Sequence, residues 1–221
     1  MAETRSVTGA GHEPESEPEP AAAAASPPED PFGEGTPATA RLRDGSAVTL
    51  RVVEAADAER LRAFLAALGL EARRLRFFTG GVDVEAIARS VTATGPDRIG
   101  VLALDAAGEV VGHALCVTLE EGTGEVAVEV ADGLHGQGLG TILLELVAEL
   151  AERRGTDTLV AAVLPDNAAM LEVFRDAFGA VAHFHDGTDT FRFPAAAWRA
   201  ARRRYPQPFL RPGSISPRSS A

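Results

Sequence analysis

The chain has 221 residues, 45% of them hydrophobic, a formal net charge of −11 and one cysteine, Cys116. That is enough apolar material for one domain of about 150 residues with its own core, and a single cysteine excludes an intrachain disulfide. No apolar run approaches the ~18 residues of a membrane span and the N-terminus is acidic, so the expected setting is soluble and cytoplasmic, with neither span nor signal peptide.

The first 40 residues hold eight acids against Arg5, seven of the 14 prolines and an Ala21–Ala25 run. Such a segment buries too little apolar surface to offset its ordering entropy, and residues 1–43 are expected to form a disordered acidic arm. Val48–Val53 alternates as a strand. Asp57 is placed to cap a helix over Ala58–Leu68, whose Leu61, Phe64, Leu65 and Leu68 recur at helical spacing before Gly69. Shorter helices are expected over Glu71–Phe78 and, behind Asp83, over Val84–Val91. Ile99–Asp105, Glu109–Leu119 and Glu125–Val130 read as an antiparallel meander. A long amphipathic helix follows over Leu139–Arg154, with Ile142, Leu143, Leu146, Val147 and Leu150 on one face. Strand Leu159–Val163, helix Ala168–Phe178 and a hairpin, Ala180–His185 with Thr190–Phe193, complete a mixed α/β domain over residues 44–193. From 194 to 221 the charge reverses, with six arginines, Arg199, Arg202, Arg203, Arg204, Arg211 and Arg218, and no acid. This reads as a basic Pro-rich tail with a short helix at its start.

The most informative stretch is 126–155, where a strand feeds a turn carrying Gly136, Gly138 and Gly140 that opens directly into the long helix. Unpaired N–H groups at a helix start, approached closely through glycine, form a cradle for phosphate oxygens. A P-loop is excluded, because Gly140 is followed by Thr141 and all 21 basic residues are arginine. A dinucleotide turn fits poorly: the glycines alternate strictly and the next strand leads into Leu164–Asn167 without an acidic tip.

The segment His135–Gly140 resembles the acetyl-CoA loop of the GNAT acyltransferases, [QR]-x-x-G-x-[GA], with His135 in place of Gln or Arg. The resemblance extends upstream over residues 44–78, which look like the opening strand and helix pair of bacterial protein lysine acetyltransferases, and downstream to LVAAVLPDNAAML (159–171) and FRDAFGA (174–180). It implies a GNAT fold: a mixed, mostly antiparallel α/β sheet flanked by helices, with disordered tails. It implies acetyl-CoA as cosubstrate and acetyl transfer to a primary amine, a protein lysine side chain first. A small-molecule amine or antibiotic is the alternative acceptor, and a degenerate non-catalytic acyl-CoA-binding protein is a further one.

An amine attacks only when unprotonated, and a lysine ammonium with pKa near 10.4 needs a base at neutral pH. Glu125 matches the family's general base, with Glu129, at the same strand parity, as the reserve candidate. The resemblance assigns pantetheine amides to Val128 and Val130, the diphosphate to His135, Gly136, Gln137, Gly138, Gly140 and Thr141, and the cofactor arm to Asn167, which is also placed to cap the following helix. Two departures stand out. The tyrosine that many GNAT enzymes use to protonate the thiolate is replaced by Phe174, the only tyrosine being Tyr205 in the tail, and the loop has no basic side chain at positions 135 and 137. His183, His185 and Asp186 lack further ligands, so no metal is expected. His113 reads as a satisfied core residue, and Arg76-Phe77-Phe78 resembles an element bordering the acceptor site. With 24 acids against 14 arginines over residues 41–193, the domain favours a cationic acceptor, and nucleic acid is not an expected partner.

Overall fold

A computed structural model describes residues 37–78, 82–93 and 95–204. Strands β1 (Ala38–Arg41), β2 (Ala47–Val52), β3 (Arg98–Leu104), β4 (Val110–Glu120) and β5 (Thr123–Val130) form a continuous antiparallel meander. Strand β6 (Thr158–Val163) joins β5 in parallel, and β8 (Thr188–Pro194) and β7 (Val181–His185) close the order β1-β2-β3-β4-β5-β6-β8-β7. Helix α1 (Ala58–Ala67), α2 (Leu70–Phe77) and α3 (Val84–Thr92) lie between β2 and β3 in sequence, α4 (Leu139–Arg153) between β5 and β6, and α5 (Ala168–Glu172) before β7. Helix α6 (Trp198–Arg204) ends the described chain.

Apolar periodicity sorts these helices onto the two faces of the sheet. Leu61, Phe64 and Leu65 of α1 and Ala88 and Val91 of α3 pack with Leu102 and Leu115 on one face. Ile142, Leu143, Leu146 and Val147 of α4 pack with Val101, Ala114 and Val126 on the other, in a core that continues to Phe174, Phe191 and Trp198. Consecutive residues of β5 therefore look in opposite directions, the even ones toward α4 and the odd ones toward α1–α3. Cys116 is buried in the α4 face, and burial pushes its thiol up to about 11.

Regular structure extends beyond residues 44–193 at both ends of the described chain. Strand β1 pairs upstream of residue 44, because Ala38, Ala40 and Leu42 alternate inward and are buried, a pattern hidden by small side chains in an Ala- and Pro-rich stretch. Regular structure continues past 194 because Trp198 and Ala201 are buried and α6 lies along an acidic stripe of α4. Arg199 bonds Glu152 at 2.6 Å, Arg202 bonds Glu149 at 2.7 Å, and both guanidiniums stack on the Trp198 ring. These two tail arginines thus meet carboxylates of the same domain. The arm through residue 36, Tyr205, Arg211 and Arg218 lie outside the described residues.

Two local expectations are corrected. Asp57 makes no side-chain cap to α1. Its buried carboxylate points backward, accepting the Glu54 N–H at 2.8 Å and two bonds of 2.6 Å from Arg51, because a 3-10 turn over Ala55–Asp57 precedes the helix. The helix expected over 168–178 changes at Val173 into a π turn, Val173–Ala177, of the kind often found beside functional sites.

Candidate functional site

The parallel pairing of β5 with β6 is short: Thr123–Thr158, Gly124–Leu159 and Glu125–Val160 are in register, and pairing stops there. Beyond Glu125, β5 stays with β4 as far as Val130, while β6 stays with β8 along its full length. The sheet opens into a V. The resulting cleft, about 320 Å³, is lined by Val126–Val130 on one arm, Ala161–Val163 on the other, and Ala72, Leu75 and Arg76 of α2.

At the far end of the β5 arm a 3-10 turn, Asp132–Leu134, leads to His135–Gly138 and the start of α4. Gly136 and Gly138 have φ of 73° and 87°, left-handed values that glycine adopts without strain. Helix α4 has no side-chain cap and no acid in its first turn, so its leading N–H groups and the positive end of its dipole are directed at the cleft. A Cβ built at Gly140 would approach nothing closer than Val130, at 3.9 Å. Packing therefore does not demand glycine at 140. His135 Nε2 lies 3.1 Å from the Val130 carbonyl oxygen, so that carbonyl is already engaged by the loop. His135, Gly136, Gly138, Gly140, Thr141, Val128, Val130 and Asn167 all line the cleft. Gln137 is absent from the lining; its carbonyl accepts from the Arg43 N–H at 3.2 Å.

The odd face of β5 carries the acids, and here burial separates residues that strand parity makes equivalent. Glu125, the last residue paired to β6, is exposed at the apex of the V and lines the cleft. Glu129, four residues on, is buried. His113, directly opposite on β4, donates from Nδ1 to Oε1 at 2.7 Å, and Arg76 of α2 donates from Nε to Oε2 at 2.8 Å. Burial alone would push the Glu129 carboxyl up, but the charges and hydrogen bonds of Arg76 and His113 outweigh it and hold the group at about 2. His113 is fully buried, as expected, yet its Nε2 has no hydrogen-bond partner among the described residues.

Across the cleft, Asn167 caps α5 by accepting the Met170 N–H at 3.2 Å. Its neighbour Asp166 is bonded by Arg74 of α2 at 2.6 Å, tying the two sides together. Phe174 is buried in the π turn, stacked on Phe191 with centroids 4.9 Å apart, and one side of it reaches the cleft. Arg43 is a functional candidate with no signal in the sequence, and Arg76 has a carboxylate partner that the sequence does not suggest. Both depend on contacts at long sequence separation, Arg43 reaching the Gly136 carbonyl at 3.0 Å from 93 residues away. The RFF resemblance marked Arg76 as lying near the acceptor site but gave no hint of its carboxylate partner.

Residues 70–180, from the start of α2 to the residue before β7, match the sequence profile of the acetyltransferase (GNAT) family. The chain belongs to the GNAT family. Its fold is the GNAT fold, and the strand that opens away from its parallel neighbour is the β5 described above. The GNAT domain of S. lividans PAT is 31% identical with a TM-score of 0.66, over 72% of this chain and 96% of that one. The L-methionine sulfoximine/L-methionine sulfone acetyltransferase of Pseudomonas aeruginosa is 39% identical over 80 residues, 34% of this chain and 46% of that protein. The match thus spans about half the length of this curated relative. A GNAT superfamily phosphinothricin acetyltransferase from Sinorhizobium meliloti, solved in complex with AcCoA, shares the fold at 22% identity and a TM-score of 0.54, over 66% of this chain and 88% of that one. Among the described residues, no helix is long and apolar enough to cross a membrane, and no three His, Cys, Asp or Glu side chains are grouped to hold a metal.

Proposed function

We propose that this GNAT protein transfers an acetyl group from acetyl-CoA to a primary amine, and that the amine is the side chain of a protein lysine. The observation that carries the reading is the opening of the sheet beyond Glu125, with an exposed carboxylate at its apex and an uncapped helix start at the end of one arm. Acetyl-CoA supplies a thioester whose carbonyl carbon the free amine attacks and whose thiolate departs. The main-chain groups of Val128 and the N–H of Val130 face the pantetheine, and the N–H groups of Gly136, Gly138, Gly140 and Thr141 face the diphosphate; those of His135 and Gln137 already donate to the Asp132 and Leu134 carbonyls, at 3.4 and 3.3 Å. Asn167 borders the cofactor arm while capping α5. Gly140, with room for a Cβ but none present, supports a close approach of phosphate there.

Glu125 is the general base. It is exposed and in the cleft, so it takes the ammonium proton directly or through one water. Glu129 is a poor base, because a carboxyl held at about 2 has little affinity for a proton at neutral pH. Phe174 offers no hydroxyl to the departing sulfur, which takes its proton from solvent or from the amine; a thiol pKa near 8.5 makes the thiolate a tolerable leaving group.

The acceptor follows from charge. The arginines lining the cleft are Arg43, at the phosphate loop, and Arg76, which is bound to Glu129. A free amino acid would bring a carboxylate to a site whose arginines are so placed, whereas a lysine within a polypeptide brings only the cation that Glu125 attracts. The Pseudomonas relative's name supports the second reading, a small amine acceptor.

Thiol release with acetyl-CoA across lysine peptides, polyamines and free amino acids, with Glu125→Gln in parallel, tests the reading. Turnover on the peptides that is lost in the variant is expected. Preference for free amino acids moves the acceptor to small molecules. Calorimetric binding of acetyl-CoA without turnover on any amine sinks the catalytic claim and leaves an acyl-CoA-binding protein.

A further inference from the structure

We infer that Arg43, from the turn between β1 and β2, is the side chain that neutralises the diphosphate of the coenzyme. The inference rests on the coenzyme A reading of the cleft and adds to it a residue outside the phosphate loop. That loop carries no lysine or arginine between His135 and Thr141, and the domain around it has 24 acids against 14 arginines over residues 41–193. A diphosphate approaching the cleft therefore meets a field of its own sign unless a cation is held at the loop.

Three observations place Arg43 there. The β1–β2 turn is fastened to the loop by main chain, through the Arg43 N–H to the Gln137 carbonyl at 3.2 Å. The guanidinium reaches the same loop, donating from Nη1 to the Gly136 carbonyl at 3.0 Å. Arg43 also lines the cleft beside Gly136, Gly138 and Gly140. A guanidinium has five N–H donors, so one bond to a carbonyl orients it while leaving others for phosphate oxygens. Arg76, the other arginine in the cleft, is on α2 and held by Glu129. The geometry gives the turn two tasks: its backbone sets the loop, and its side chain supplies the charge that the loop sequence lacks. A β1 strand paired with β2 is what makes this delivery rigid.

The test is calorimetric titration of the full chain and of Arg43→Met, Arg43→Lys and Arg43→Ala with coenzyme A, dephospho-coenzyme A and pantetheine. The methionine variant keeps the side-chain stem and the main-chain bond, so it reports charge loss with the least disturbance; melting temperatures verify the fold. A charged hydrogen bond to phosphate implies binding of coenzyme A weakened about tenfold or more. The dephospho compound, which keeps the diphosphate, loses the same factor in Met and Ala variants, the lysine variant retains part of the affinity, and pantetheine binding does not change. A loss confined to intact coenzyme A reassigns Arg43 to the ribose phosphate and overturns the inference. A loss that extends equally to pantetheine makes Arg43 a support of the cleft and overturns it too, as does parental affinity in Arg43→Met. If the parent protein binds none of the three compounds, the coenzyme reading itself falls; if the parent binds and the variants match it, only the role of Arg43 falls.

Discussion

Glu125 and Glu129 share one face of β5, and replacing each by glutamine separates an anchor from a base. Glu129→Gln removes a charge bound by Arg76 and His113 with almost no change of volume. The carboxyl moves from an ordinary 4.5 to about 2 in the fold, which corresponds to about 3 kcal/mol favouring the charged form in the native state. Loss of one partner from a buried pair costs about 3–5 kcal/mol; Arg76, whose side chain is 20% exposed, recovers some hydration, so the lower end applies. The expected result at pH 7.5 is a variant less stable by about 3 kcal/mol in urea denaturation. The pH dependence has a definite sign. A depressed carboxyl contributes stability that is fully present above 4.5 and lost as pH falls through about 2, so the gap between parent and variant closes on acidification through that window. Because Arg76 belongs to α2, which lines the cleft, the variant is also expected to raise the KM for amine more than it lowers kcat. The reasoning is refuted if Glu129→Gln unfolds at the parental urea concentration and instead loses kcat a hundredfold at saturating amine. Glu129 would then be the base, and its partners mere neighbours.

Three further outcomes follow from named contacts. Glu125→Gln lowers kcat by about 10²–10⁴-fold with an unchanged urea midpoint, since Glu125 is exposed; steady-state thiol release checks it, and a loss under threefold removes Glu125 from the mechanism. Burial pushes Glu145 up to about 8 against the pull of Arg202 Nε at 3.6 Å, and its oxygens have no hydrogen bond among the described residues. A raised carboxyl pKa gives stability present below 4.5 and lost as pH rises through about 8. Glu145→Leu is therefore expected to lack that decline and to melt above the parent at pH 8.5; equal slopes of melting temperature against pH would falsify this. Trp198→Ala opens a cavity and leaves Glu152 without its indole donor at 2.7 Å, costing about 3–5 kcal/mol by denaturation, whereas an idle tail would cost nothing.

Much of this architecture was readable from period and punctuation. Leu61, Phe64 and Leu65 mark α1 by their spacing, and the alternating glycines mark the loop before α4, where Gly136 and Gly138 take left-handed backbone. What stayed hidden was of a different physical kind. The inward residues of strand β1 are alanines, whose small side chains give a weak alternation signal, so Ala38 and Ala40 look like the rest of the arm until β2 pairs with them. Helix α6 looks like a solvated basic tail because its counter-charges, Glu149 and Glu152, sit on the partly buried side of α4, about 50 residues earlier. Arg43 and Arg76 act on partners 93 and 53 residues away, and no local rule finds such pairs.

The two glutamates show how far local pattern reaches. Strand parity places Glu125 and Glu129 on one face, and that holds, but parity carries no information on depth. Depth is set by what the neighbouring strands do: β6 leaves β5 after Glu125, so Glu125 stands at an open edge, while β4 stays alongside and brings His113 opposite Glu129. Helix α2 then covers Glu129 with Arg76. A carboxylate under a helix with two partners is stabilised in its charged form and gives up proton affinity; one at an open apex keeps access to solvent and substrate. The same strand divergence that creates the cleft thus decides which of two chemically identical side chains is free to accept a proton.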